Sequence, residues 1–179
     1  MSSTFYINIK YEAKIMKFKK YLTELSMQAD TQIEKHNIGR ELEYRITLAA
    51  GPIFRLYIGP EKSHLKTGEE IERHGIAFTD NRGNTLMSPK DKGVSIQLFA
   101  AIQSIVSEFV KSEKPILINF SGNSKEKSKL KLYSLLAKKI EKSGYTLQTK
   151  DNHVTKYYFD HAYDLMRNDV YKEIQDQLR

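Results

Sequence analysis

The sequence predicts a mixed α/β (α+β) domain in which a mostly antiparallel sheet is flanked by helices in a three-layer arrangement. Three observations carry this expectation. Short stretches that alternate apolar and polar residues, LEYRITL and PIFRLYI among them, follow one another early in the chain with turn residues between them. Two long stretches then place apolar residues at helical spacing, around Leu98 to Phe109 and Leu130 to Ile140. Between those two lies Ile116 to Phe120, a nearly continuous apolar run of the kind found in the middle of a covered sheet.

Each element has its own justification. From Ala13 to about His36, the residues Ile15, Phe18, Leu22, Leu25 and Ile33 recur at roughly helical spacing with lysines between them, which predicts an amphipathic helix ended by Gly39. Leu42 to Leu48 and Pro52 to Ile58, separated by Ala-Ala-Gly, predict an antiparallel pair, with GPEKSHLKTGEE around Pro60 as a loop. HGIAFTD and NRGNTLM predict a second hairpin turning at Asn81-Arg82-Gly83. The stripe from Gly93 to Val110 is widened by Val94, Phe99 and Val110, so that helix should be largely buried, and Lys114-Pro115 should stop it.

After the apolar strand, Asn123 and Glu126 have capping-box spacing. They open a helix that buries Leu130, Tyr133, Leu136, Ala137 and Ile140 and stops at Gly144. YTLQTK, a turn at Asp151-Asn152 and HVTKYYF predict a last hairpin, and HAYDLMRNDVYKEIQDQL a closing amphipathic helix through Tyr163, Met166, Val170, Ile174 and Leu178. The chain reads as one domain over 1–179, with an N-terminal helical region (1–41), a core (42–160) and a C-terminal helix (161–179).

Composition limits the function classes. With 179 residues, 40% hydrophobic and 28% charged, the chain can bury a genuine core. It shows no secretory pattern and no apolar run long enough to span a membrane, so a soluble cytoplasmic protein is expected. The absence of cysteine excludes disulfides, thiolate zinc sites and cysteine nucleophiles. His36, His64, His74, His153 and His161 form no HExxH or paired spacing, so no metal site is expected. No Walker loop, GxSxG or GxGxxG occurs.

The formal net charge is +7, and much of it is concentrated. Lys125, Lys127, Lys129, Lys131, Lys138, Lys139 and Lys142 stand against Glu126 and Glu141, a local charge of +5. This pattern suits an acidic protein surface or a nucleic acid, and equally a solvated helix face. TKYYF, Thr155 to Phe159, could add aromatics for bases or simply pack in a strand.

The element order resembles the GNAT-type N-acetyltransferases, together with two local features. One is a Gly-bearing loop opening the buried helix, where the family has Gln/Arg-x-x-Gly-x-Gly/Ala and this chain has Lys90, Asp91, Lys92, Gly93, Val94 and Ser95. The other is an Asn near a strand end, Asn119 or Asn123, followed by Leu132-Tyr133 and the terminal pair Gly144-Tyr145. The resemblance covers about Leu42 to Phe159 and implies acetyl-CoA as cofactor. It puts the pyrophosphate on the helix start formed by Lys92, Gly93, Val94 and Ser95, with Asn119 and Asn123 nearby, and makes Tyr133 the acid for the leaving thiolate. The base would come from the preceding strands, where Glu69, Glu70 and Glu72 are the nearest carboxylates. Lys90 and Ser95 depart from the family's loop. The pattern of IxFS, a basic stretch and KLY is also similar to small proteins of tailed bacteriophages.

The leading expectation is therefore a noncatalytic or catalytically degenerate GNAT-like binding protein, phage-encoded and found in host cytoplasm or virion, which engages an acidic partner through its lysine-rich helix. The alternatives are an active acetyl-CoA-dependent N-acetyltransferase and a self-associating virion or assembly protein.

Overall fold

The computed structural model describes residues 31–49, 51–64, 67–83, 92–122, 127–151 and 161–174. In chain order these form β1 (Gln32–Ile38), β2 (Glu41–Thr47), β3 (Ile53–His64), β4 (Glu70–Asp80), α1 (Lys92–Glu113), β5 (Leu117–Gly122), α2 (Lys127–Glu141), β6 (Tyr145–Asp151), β7 (His161–Arg167) and α3 (Asn168–Ile174). The strands build a seven-stranded sheet in the order β1-β2-β3-β4-β5-β7-β6. Every neighbouring pair is antiparallel except β4 with β5. The expected mixed, mostly antiparallel sheet with helices is thus present.

Strand alternation sorts this sheet into two unlike faces. Ile46, Phe54, Leu56, Ile58, Ile76, Phe78, Ile118, Phe120 and Leu165 share one face and are buried. The apolar side of α1 (Leu98, Ile102, Ile105, Val106, Phe109) and that of α2 (Leu132, Tyr133, Leu136, Ala137, Ile140) belong to the same core. Ring contacts fix both helices to this face: Phe109 of α1 meets His74 of β4, and Tyr133 of α2 meets Phe78. The opposite face carries Arg55, Tyr57, Glu61, Arg73 and Asn119. No helix among the described residues is long and apolar enough to cross a membrane.

Four expectations need correction. Gln32 to His36 are not the tail of a helix but most of β1, whose seven residues are all exposed. Gly39, with φ at +64°, opens a two-residue hairpin turn between the paired Ile38 and Glu41 instead of stopping a helix. The rest of that expected helix falls on residues outside the described ones. The predicted loop around Pro60 is strand, because the β3–β4 ladder continues to His64↔Glu70 and cross-strand pairs such as Lys62–Glu70 (2.9 Å) line it.

The largest correction concerns the end of the chain. Residues His161 to Arg167 are β7, not helix, and only Asn168–Ile174 is helical. β6 pairs with β7, from Tyr145↔Arg167 to Asp151↔His161, so HAYDLMR takes the place expected of HVTKYYF, which lies outside the described residues. The strand after Gly83 and the cap at Asn123 and Glu126 also lie outside them, although the turn itself is present, with Asp80 accepting from the backbone of Arg82 and Gly83.

The connection from α1 to β5 is held from the far end of the chain. Tyr145 Oη donates to the Pro115 carbonyl at 2.7 Å, Arg167 Nη1 to that of Lys114 at 2.6 Å, and the Arg167 backbone N–H to that of Ile116 at 2.9 Å. Lys114 takes a left-handed conformation, φ +47°, which ends α1 and presents its carbonyl.

Burial pushes the Tyr145 phenol up to about 12. A raised pKa favours the protonated form in the folded state, so the stability it contributes is complete below the ordinary tyrosine value near 10 and is lost as pH rises to about 12. Urea unfolding across this range should show a stability loss that is absent from Tyr145→Phe, and the variant should be roughly 1–2 kcal/mol less stable at pH 7 because the Pro115 carbonyl loses its donor.

Candidate functional site

β4 and β5 pair at only three positions, Arg73↔Leu117, His74↔Ile118 and Gly75↔Asn119. Beyond Gly75, β4 keeps its partners on β3 through Asp80, and β5 keeps β7 through Gly122, but the two strands no longer meet. The sheet therefore splits into a wedge. A cleft of about 510 Å³ occupies it. The cleft is lined from the helix-covered face by Phe78, Lys129 and Tyr133 and from the other face by Tyr57, Glu61 and Ser121, so it passes through the sheet.

Topology brings helix ends to the same place. Because β4 and β5 are parallel, α1 must run back against both of them, and its first residues return to the carboxyl end of β4, where the strands part. α2 departs from the carboxyl end of β5. Both helices thus lie on the side of the sheet where the two strands part, α1 returning to the carboxyl end of β4 and α2 leaving that of β5.

On the polar face, two glycines seat two carboxylates. A Cβ on Gly75 would fall 2.3 Å from Glu61 Oε1, and one on Gly59 would fall 3.1 Å from Glu41 Cγ. The bare backbone lets Glu61 lie flat across β4 and Glu41 across β3, and both line the cleft. Arg73 holds Glu61 through Nε and Nη2, each at 2.8 Å. Arg40, from the β1–β2 turn, also lines the cleft and pairs with Glu72 at 2.8 Å. Asn119, where β5 leaves β4, donates to Asp164 Oδ1 at 2.7 Å, which fixes its amide.

On the other wall, Tyr133 is almost fully buried, 1% exposed. Its ring centroid lies 5.7 Å from Phe78 and 4.9 Å from Phe120, so it bridges the two strands that have separated. Lys129, one turn earlier, is 6% exposed, and its Nζ stands 5.6 Å from the ring centroids of both Phe78 and Tyr133.

The structure brings Asn119, Lys129 and Tyr133 together at the wedge. Lys92, Gly93, Val94 and Ser95 do form the start of α1; among their side chains only Val94 is described, half-buried against the core. Asn123 and Lys125 lie outside the described residues. Lys129 does not belong with the exposed lysines: it faces inward, while Lys127, Lys131, Lys138, Lys139 and Lys142 are exposed. Burial and the nearby Lys111 lower the pKa of Lys139. Glu70 and Glu72 are strand residues engaged by Lys62 and Arg40, so the carboxylates facing the cleft are Glu41 and Glu61 instead. The signal for these was Gly59 and Gly75 within otherwise alternating strands, a mark of close approach.

Gly75→Ala should dislodge Glu61 from Arg73 yet cost less than about 1 kcal/mol, because a partly exposed ion pair contributes little. Glu61→Gln should cost as little by urea unfolding. A loss above about 3 kcal/mol in either would make the pair part of the fold's support instead of a feature of the cleft.

No protein-family model matches the chain, and no curated protein matches it. Among solved structures it is similar to AAC(6')-Ib in complex with ribostamycin and coenzyme A, at 13% identity and a TM-score of 0.41 over 74% of this chain and 67% of that one. A second structure of AAC(6')-Ib, with acetyl-CoA, gives the same TM-score of 0.41. The spermidine N-acetyltransferase SpeG from Vibrio cholerae is similar at 8% identity and a TM-score of 0.41, over 77% of this chain and 71% of that one. At this level the likeness is one of general outline.

Proposed function

We propose that the wedge between β4 and β5 binds an acyl-coenzyme A and that the protein transfers the acyl group to an amine. The observation that carries this reading is the early end of the β4–β5 ladder at Gly75↔Asn119, which leaves an extended backbone edge facing an open cleft. Main-chain groups past Gly75 can pair with the in-line amides of a pantetheine arm as they would with another strand. The start of α1, at Lys92, Gly93, Val94 and Ser95, offers backbone donors and a positive helix end for phosphates, as the resemblance implies. The coenzyme would supply the activated acyl thioester.

The chain's own residues supply the rest. Glu61, held across Gly75, takes the acceptor's proton through water from the polar side of the wedge. Tyr133 on the opposite wall is the acid. Asn119, fixed by Asp164, lines the apex.

Thermal unfolding with excess acetyl-CoA tests this directly. A ligand at about 100 times its dissociation constant stabilises the native state by about 2.7 kcal/mol, several degrees for a domain of this size. No shift with acetyl-CoA or coenzyme A would overturn the proposal. Tyr133→Phe should keep the shift and lower turnover by roughly a hundredfold or more; full turnover would remove its role as acid. A shift with no turnover toward any amine would leave the noncatalytic binding protein that the sequence first suggested.

A second reading concerns the outer face of α2. Lys127, Lys131 and Lys138 lie on the side away from the core, and no acidic residue pairs with them among the described residues. This surface suits an acidic protein or nucleic acid. Reversing all three to glutamate should abolish binding to a polyanion such as heparin or single-stranded DNA and leave the melting temperature nearly unchanged. Undiminished binding would dismiss the lysine face.

A further inference from the structure

On the face of the sheet away from α1 and α2, β5 and β7 set three cross-strand pairs in succession, Leu117↔Met166, Asn119↔Asp164 and Ser121↔Ala162. Leu117, Met166 and Ala162 are buried, so the middle pair is polar in largely apolar surroundings. Asp164 is half-buried, and no Lys or Arg pairs with it among the described residues; it accepts from Asn119 Nδ2 at 2.7 Å. Two apolar residues in this register would avoid the desolvation that such groups cost. The pair is therefore not there for packing.

It also has a direction. A carboxylate offers only acceptors, so the Asn119 amide presents its NH2 to Asp164. The amide oxygen is then turned away from β7, toward β4 and the cleft that Asn119 lines. Across the last rung of the β4–β5 ladder stands Gly75, which has no side chain, and over it lies Glu61 Oε1. Arg73 engages the other oxygen, Oε2, with both Nε and Nη2. An amide oxygen from one side of the apex and a carboxylate oxygen from the other thus face a common space, and no donor from the described residues fills it.

We infer that Asp164 is a positioning residue: by fixing the Asn119 amide it aims the amide oxygen at the acceptor nitrogen and makes the apex selective for a primary amine. This rests on the acyl-coenzyme A reading and deepens it. Once relieved of its extra proton, a primary amine has two N–H donors and a lone pair. One N–H goes to Asn119 Oδ1 and the other faces Glu61 across the water that carried the proton, which leaves the lone pair pointing into the wedge. A secondary amine has a single N–H. To keep its lone pair in the wedge it must leave one oxygen unanswered and press an alkyl group against it. Sites built to hydrogen-bond an N–H discriminate strongly against analogues that lack it. With the Asn119 amide turned the other way, its NH2 would meet the amine's own donors.

The test compares n-butylamine with its isomer N-methylpropylamine, which has nearly the same size and one N–H fewer, by coenzyme A release at saturating acetyl-CoA. In the wild type kcat/KM should favour n-butylamine by about tenfold or more. Asp164→Leu should bring the ratio toward one without changing the KM for acetyl-CoA, and Asn119→Leu should do the same. Asp164→Asn, which keeps an acceptor within reach of Nδ2, should preserve the preference. A purely structural role would slow both isomers alike and leave their ratio intact. A wild-type ratio near one, or an unchanged ratio in Asp164→Leu, overturns the assignment, and the first result is decisive whether or not any variant folds. Calorimetry with acetyl-CoA separates the two levels: if it does not bind the wild type, the acyl-coenzyme A reading fails, whereas binding with no transfer to n-butylamine overturns the assignment of the apex and leaves the coenzyme site standing.

Discussion

The short parallel ladder between β4 and β5 is the constraint on which the rest of the structure depends. It joins a four-stranded meander, β1 to β4, to a three-stranded group, β5-β7-β6, through three register pairs. Were the ladder longer, the sheet would be continuous and there would be no cleft. Were it absent, the halves would be linked by side chains alone. What the backbone gives up past Gly75 is replaced on the covered face by rings: Phe78 from one half, Phe120 and Tyr163 from the other, and Tyr133 of α2 laid against all three. The same tyrosine that lines the cleft therefore also holds its two sides at a set spacing. Aromatic pairs suit this task because they bury large areas and keep defined geometry across a gap that hydrogen bonds do not close.

The two faces divide the labour. The covered face holds the continuous apolar core of α1, α2 and six strands, β2 to β7, which supplies most of the burial that stabilises the fold. Over β3 and β4 the other face carries ion pairs that are largely exposed and contribute little to stability, which leaves it free to carry chemistry, while at β5 and β7 the same face buries Leu117, Ala162 and Met166. Glycine makes that possible at two points. At Gly59 and Gly75 the missing side chain lowers the sheet surface, and a glutamate from the neighbouring strand fills the depression with its carboxylate already placed.

Much of the fold was legible from residue spacing. The alternation in β2 and the first half of β3, the wide stripe of α1, the apolar run of β5 and the glycine stop of α2 all lie where the sequence puts them, because in each the local period agrees with what the tertiary structure buries. β7 was misread for a physical reason. It lies between β5 and β6 and is covered on both faces, so Ala162, Leu165 and Met166 are all buried, and such a pattern fits a helix as well as a strand. β1 was misread for the opposite reason: it buries nothing, so it carries no alternation, and only its pairing with β2 defines it. Tyr133 was identifiable from its stripe, but Lys129 was counted among the outward lysines, since a charge run gives no sign that one member turns inward. Glu41 and Glu61 depend on contacts between strands, which no local spacing reports.

One consequence of the sheet order concerns the chain as it is made. β5 is apolar and central, yet its antiparallel neighbour β7 arrives some 40 residues later, and the carbonyls of Lys114, Pro115 and Ile116 receive their donors only from Tyr145 and Arg167. Until residue 167 has emerged from a ribosome, β5 presents a bare edge, the kind of surface that other nascent chains and chaperones recognise. A fragment that ends before β7 would retain nearly all the helix-packing residues and still lack the strand that closes the sheet. The last strand is thus also the point at which the chain stops being exposed to misassembly.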